Sequence, residues 1–178
     1  MIPTNSPLLA ALSPYEQSDV LTTTNITFSF LGSGVEVDPG NDSGDLTSSL
    51  VWTAAQRALV TDIFAYISTV VNLTFEEVPV GDAVNIEFVH IEQFDDPSTT
   101  GVSIPQAAGV SKIFIPTEYI GLNDVTLIHE IGHSIGLSHP FDGLSKLPGV
   151  NGEVDLGEFN LNTELATRLS YNPGAHVD

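Results

Sequence analysis

The sequence predicts an α+β fold in which a twisted, mostly parallel five-stranded sheet carries two long helices, and three observations predict it. Five segments, 26–30, 73–78, 84–91, 99–105 and 110–116, are short, apolar and rich in β-branched and aromatic residues, as strands are. A helical pattern lies between the first and second, and strand–helix–strand order implies a right-handed crossover between parallel neighbours. A second helical stretch follows the fifth and carries three of the chain's five histidines within it or just beyond its end. The length of 178 residues suits a single domain, and 42% hydrophobic residues suffice for a core.

Residues 1–23 form an N-terminal extension without sustained patterning. Ile26–Phe30 alternates apolar and polar residues, the signature of a half-buried strand. Residues 32–49 are polar and read as a loop, in which the carboxylates between Asp38 and Asp45 are one weak candidate for Ca2+. Thr53 and Gln56 make a capping-box pattern that opens a helix, and Ala55, Leu59, Ile63, Tyr66 and Val70 follow at helical spacing as its expected core stripe, up to Asn72. His90 lies within the third strand, outside any ligand spacing, and reads as a structural histidine. Residues 99–105 and 110–116 are joined by a Gln-Ala-Ala-Gly loop. Asn123 or Asp124 is the expected N-cap of the second helix, which runs to about Ser134. Residues 141–166 are loop-rich, with Asn151, Glu153, Asp155 and Glu158 as further weak calcium candidates.

The chemistry concentrates in residues 129–139, His-Glu-Ile-Gly-His-Ser-Ile-Gly-Leu-Ser-His. His129 and His133, four apart, leave a helix on the same face about one turn apart, close enough to share a small cation. Glu130 sits roughly 100° round the helix from His129, where a carboxylate flanks the metal and can take a proton from water. Gly136 can end the helix in a left-handed conformation and turn His139 back toward the other two histidines. Three neutral imidazoles with open coordination positions describe a catalytic Zn2+ site, since structural zinc sites are commonly closed by four ligands and rich in cysteine.

The run His-Glu-x-x-His-x-x-Gly-x-x-His resembles the zinc signature of the metzincin endopeptidases, and Pro140 after the third histidine is similar to the serralysins of peptidase family M10. Thr53-Ala-Ala-Gln-Arg57, then Asn72-Leu-Thr-Phe-Glu-Glu-Val78, then Asn85-Ile-Glu-Phe88, resembles the order of helix and strands in a serralysin catalytic domain. The resemblance implies a single zinc protease domain, with a sheet and two helices over 24–136 and an irregular C-terminal subdomain over 137–178. It implies that the strand near 99–105 is an antiparallel edge along which an extended peptide substrate binds through its main chain. The family's methionine turn corresponds to Thr167-Arg-Leu-Ser-Tyr171, where Leu169 stands in the methionine's place; leucine has a similar volume, at a cost usually below about 1.5 kcal/mol. Tyr171 then corresponds to the tyrosine that reaches the zinc or the reacting carbonyl. The implied function is zinc-dependent endopeptidase activity, with catalytic Glu130 and Tyr171 and metal ligands His129, His133 and His139.

Composition narrows the partners. No cysteine is present, which excludes disulfides, thiolate metal sites and a cysteine nucleophile. Four Lys and Arg against 23 Asp and Glu give a net charge of −19, which repels nucleic acid and anionic membranes. No apolar run of membrane-spanning length occurs, and the first 20 residues lack the charge and apolar core of a secretory signal. The expectation is a monomer with protein or peptide as its only partner. Secretion follows from the resemblance alone. Because the chain ends at Asp178 without glycine-rich calcium repeats, either a minimal protease or, in preference, a catalytic domain excised from a longer secreted protein is expected. Two alternatives stand beside this reading: a zinc-containing binding module without turnover, against which Glu130 argues, and a protease domain that processes its own parent chain.

Overall fold

The computed structural model describes residues 23–40, 44–106, 109–121, 125–142, 146–158, 160–164 and 166–172. The expected N-cap at Asn123 or Asp124, the N-terminal extension through residue 22 and part of the 38–45 loop lie outside them. The chain divides into two compact units, the first being Leu21–Ser134, while the described residues after Ser134 belong to the second.

In the first unit the elements run β1 (Asn25–Phe30), β2 (Glu36–Val37), β3 (Thr47–Ser48), α1 (Ala54–Val70), β4 (Thr74–Glu77), β5 (Ile86–Ile91), β6 (Val102–Pro105), β7 (Ser111–Pro116) and α2 (Val125–Ser134). The sheet order is β4-β1-β5-β7-β6. The pairs β1–β4, β1–β5 and β5–β7 are parallel, and β6 pairs antiparallel with β7 at one edge. This is the expected α+β sheet, mostly parallel with one antiparallel edge. The polar stretch 32–49 is more ordered than a loop, because β2 and β3 form a short antiparallel ribbon within it.

Register explains the layering. Phe30 lies beside Phe88 and Phe88 beside Ile113, so these side chains share one face, as do Phe28, Ile86 and Ser111. Both helices pack on that face. From α1, Phe64 stacks on Phe75 at 4.0 Å between ring centroids and tilts against Phe28 at 4.7 Å. From α2, the Ser134 hydroxyl meets that of Ser111 at 2.9 Å. The opposite face is covered by Leu31, Val37 and Phe94 over Val89, Ile91 and Phe114, with Val102 and Ile104 of β6 against them.

The capping box opening α1 is present: Thr53 Oγ1 accepts from the Gln56 N–H at 3.3 Å and Gln56 Oε1 accepts from the Thr53 N–H at 2.8 Å. Its core stripe corrects the expectation. The buried residues are Val60, Ile63 and Phe64, whereas Tyr66 and Val70 are 66% and 67% exposed. Apolar residues occur on both sides of Ile63, so periodicity admits either phase. The aromatic pocket of Phe28, Phe75 and Phe88 selects the one that buries Phe64. Arg57 lies 4.8 Å over the Phe30 ring and pairs with Glu77 at 2.9 Å, tying α1 to the sheet. His90 is structural as expected, with Nδ1 2.9 Å from the Val51 carbonyl and Nε2 2.9 Å from Thr117 Oγ1. Among the described residues no helix is long and apolar enough to cross a membrane.

In the second unit no described residue lies in a helix or named strand. Phe141, Leu147 and Val150 form a small core with Leu161 against it. The fully buried Asn162 compensates for the missing regular structure. Its amide donates to the carbonyls of Glu153 and Asp155, both at 2.9 Å, and its Oδ1 accepts from the Ser170 hydroxyl at 2.8 Å. One side chain thus joins the 153–155 loop to the turn holding Leu169, which is itself buried.

Candidate metal centre

Helix α2 places the first two histidines. His129 and His133 lie a turn apart on it, and their Nε2 atoms are 3.0 Å apart. Two nitrogens held about 2.0–2.1 Å from one tetrahedral ion stand roughly 3.3 Å apart, so the separation fits a shared metal. The helix ends at Ser134 and Gly136 follows at φ 99°, the left-handed turn the sequence requires to bring His139 round. Along the run 129–139 the ligand atoms of the three histidines all lie within 4.8 Å of one another. They form the one group of three or more His, Asp or Glu placed to hold a metal ion among the described residues. An all-imidazole set of three fits zinc and leaves coordination open.

Two aromatic rings and a carboxylate hold His139. Phe141 stacks on its ring at 4.9 Å with an interplanar angle of 5°, and Tyr171 tilts against it at 4.7 Å. Its Nδ1 lies 2.7 Å from Asp142 Oδ2. A carboxylate on Nδ1 fixes the ring and directs Nε2 as the ligand atom, the arrangement that orients metal-bound histidines generally. Asp142 escaped the sequence reading, although a carboxylate three residues beyond a candidate ligand was a usable signal.

Glu130 is buried beside the pair on α2. Burial pushes its carboxyl up to about 7, partly opposed by the backbone N–H of Ser103. Such a group stands near the pH at which a carboxylate best exchanges protons at neutrality. Tyr171 is 52% exposed, so its ring leans on His139 without being packed in a core. The weak calcium candidates stand elsewhere. Asp38 closes a turn onto the Gly40 N–H at 2.8 Å. Hydrogen bonds from the Gly157 backbone and from Asn151 hold the Asp155 carboxyl below its ordinary value.

No protein-family model and no curated protein matches the sequence. Among solved structures, a chain of the GM1-bound form of the ECX AB5 holotoxin is similar at 15% identity and TM-score 0.41, over 70% of this chain and 57% of that one. Two structures of myroilysin are similar at 18% identity. One has a TM-score of 0.46 over 88% of this chain and 73% of that one, the other 0.42 over 92% and 70%. The reading of the site therefore rests on its own residues and geometry.

Proposed function

We propose that the chain is a zinc-dependent endopeptidase that hydrolyses extended peptides, with His129, His133 and His139 as metal ligands and Glu130 as the general base. The convergence of three imidazoles within 4.8 Å beside a buried carboxyl of raised pKa carries the reading. When bound, zinc supplies Lewis acidity, which makes water nucleophilic near neutral pH and polarises a carbonyl. Glu130 takes the proton of the attacking water and passes it to the leaving amine, a double task open to a buried carboxyl beside the ligand pair. Strand β6 is the sheet's edge, and its outer carbonyls give an extended substrate main-chain acceptors without demanding a particular sequence, the outward N–H of Ser103 being held by Glu130. Tyr171 stands against His139 and donates its phenol to the oxygen that gains charge.

The direct test measures metal content together with digestion of an unstructured protein such as casein. Near neutral pH, zinc should approach one per chain, chelation should abolish digestion and added zinc should restore it. In acid zinc should be lost, because protons compete with the metal for the imidazoles. Protein that takes up no zinc at neutral pH would sink the assignment. Tyr171→Phe should lower kcat by about 10- to 100-fold with KM little changed, since a donor acting in the transition state leaves ground-state binding alone. Equal kcat for the two proteins would leave Tyr171 only a packing role against His139.

A further inference from the structure

Successive residues of a strand face opposite sides, so Gly101 and Ser103 turn toward α2 while Val102 and Ile104 turn to the other core. Where the chain meets the helix at Gly101, just before β6, and at Ser103 within it, nothing larger than a hydroxymethyl group intervenes. A closed ring of hydroxyls holds strand and helix together there. Ser103 lies 3.0 Å from Ser111 and 2.9 Å from Ser134, and Ser111 lies 2.9 Å from Ser134. Three hydroxyls in a ring can each donate once and accept once, so all three are satisfied. The ring links β6, β7 and the last residue of α2.

Gly101 shows what this closeness serves. A Cβ there would come within 2.8 Å of Thr126 Cγ2, 3.0 Å of Glu130 Cγ and 3.1 Å of Ile115 Cδ1. Thr126 is β-branched and stiff within a helix, and Ile115 is fully buried. The unbranched stem of Glu130 is the neighbour best able to yield. We infer that Gly101 is a positioning residue: its missing side chain lets the edge strand rest against the Glu130 stem and sets where that carboxylate points, while the metal ligands stand independently of it. The inference rests on the reading of Glu130 as the base.

Gly101→Ala separates the two. Its zinc content should equal the parent's, while kcat falls by about 10- to 100-fold with KM little changed, since a misplacement of about 1 Å costs up to about 100-fold. Thr126→Ser removes one of the three close atoms and serves as the control for a purely structural effect. Alone it should leave kcat unchanged; combined with Gly101→Ala it should recover thermal stability but not kcat, because the contact with Glu130 Cγ remains. Recovery of kcat together with stability in the double variant would overturn the inference, as would a Gly101→Ala enzyme with parental kcat. In the zinc-loaded parent, a nuclear Overhauser contact between Gly101 Hα and Glu130 Hγ is expected, and its absence overturns the inference whatever the activity. A parent that binds zinc, shows this contact and digests no peptide would instead overturn the peptidase reading, and the catalytic half of the inference with it.

Discussion

Glu130→Gln should reduce peptide hydrolysis by at least about 100-fold while zinc remains bound, because the amide keeps the shape of the side chain and loses the base. The same substitution should stabilise the metal-free protein above neutrality. The folded chain holds the Glu130 proton to about pH 7, against an ordinary value of 4.5. Between those values the folded state binds more protons than the unfolded one, so stability falls as pH rises through that window. At about 1.4 kcal/mol per pH unit, burying this carboxylate costs roughly 3 kcal/mol above pH 7, which glutamine avoids. Comparing Glu and Gln proteins at each pH cancels the histidines they share. Unfolding curves at pH 4.5 and pH 8 with zinc removed should therefore converge at the lower pH and separate at the higher, with the Gln variant the more stable. Unchanged turnover would show that the base lies elsewhere, and coincident curves at pH 8 would show that Glu130 is solvated.

His133→Ala should weaken zinc binding by about 100- to 1,000-fold. A binding energy of about 10–16 kcal/mol spread over four ligands assigns roughly 2.5–4 kcal/mol to each. Hydrolysis at limiting zinc should disappear with it. Asp142→Ala provides the graded comparison: it touches His139 through Nδ1 and orients the ligand, so its removal should cost about 10- to 100-fold in affinity. Competition against a chelator of known zinc affinity would rank the parent above Asp142→Ala and Asp142→Ala above His133→Ala. Equal affinities for the parent and His133→Ala would remove His133 from the ligand set.

The candidate metal centre was legible because most of it is built from one continuous stretch. His129 and His133 need only a helix, and Gly136 needs only its own backbone freedom, realised at φ 99°. The same locality made Thr53 and Gln56 readable, since both halves of the capping box lie three residues apart. Tyr171 was reached only through a resemblance, being 32 residues beyond His139. Its contact with that ring is a product of the second unit's folding, in which Asn162 and the Phe141 cluster hold the turn.

The sequence by itself determined the segments that become strands and helices and the identities of the three imidazoles and of Glu130, because helix and strand periodicities, caps and ligand spacings are fixed by interactions within about ten residues. Tertiary structure alone decided the sheet order β4-β1-β5-β7-β6, the phase in which α1 buries Phe64 instead of Tyr66, and the approach of Gly101 to Glu130. Each depends on residues distant in sequence, up to the 58 positions between Phe28 and Ile86, meeting in one register. A one-residue slip of β6 would turn Val102 toward α2 in place of Gly101, and a local pattern carries no information about which register the packing selects.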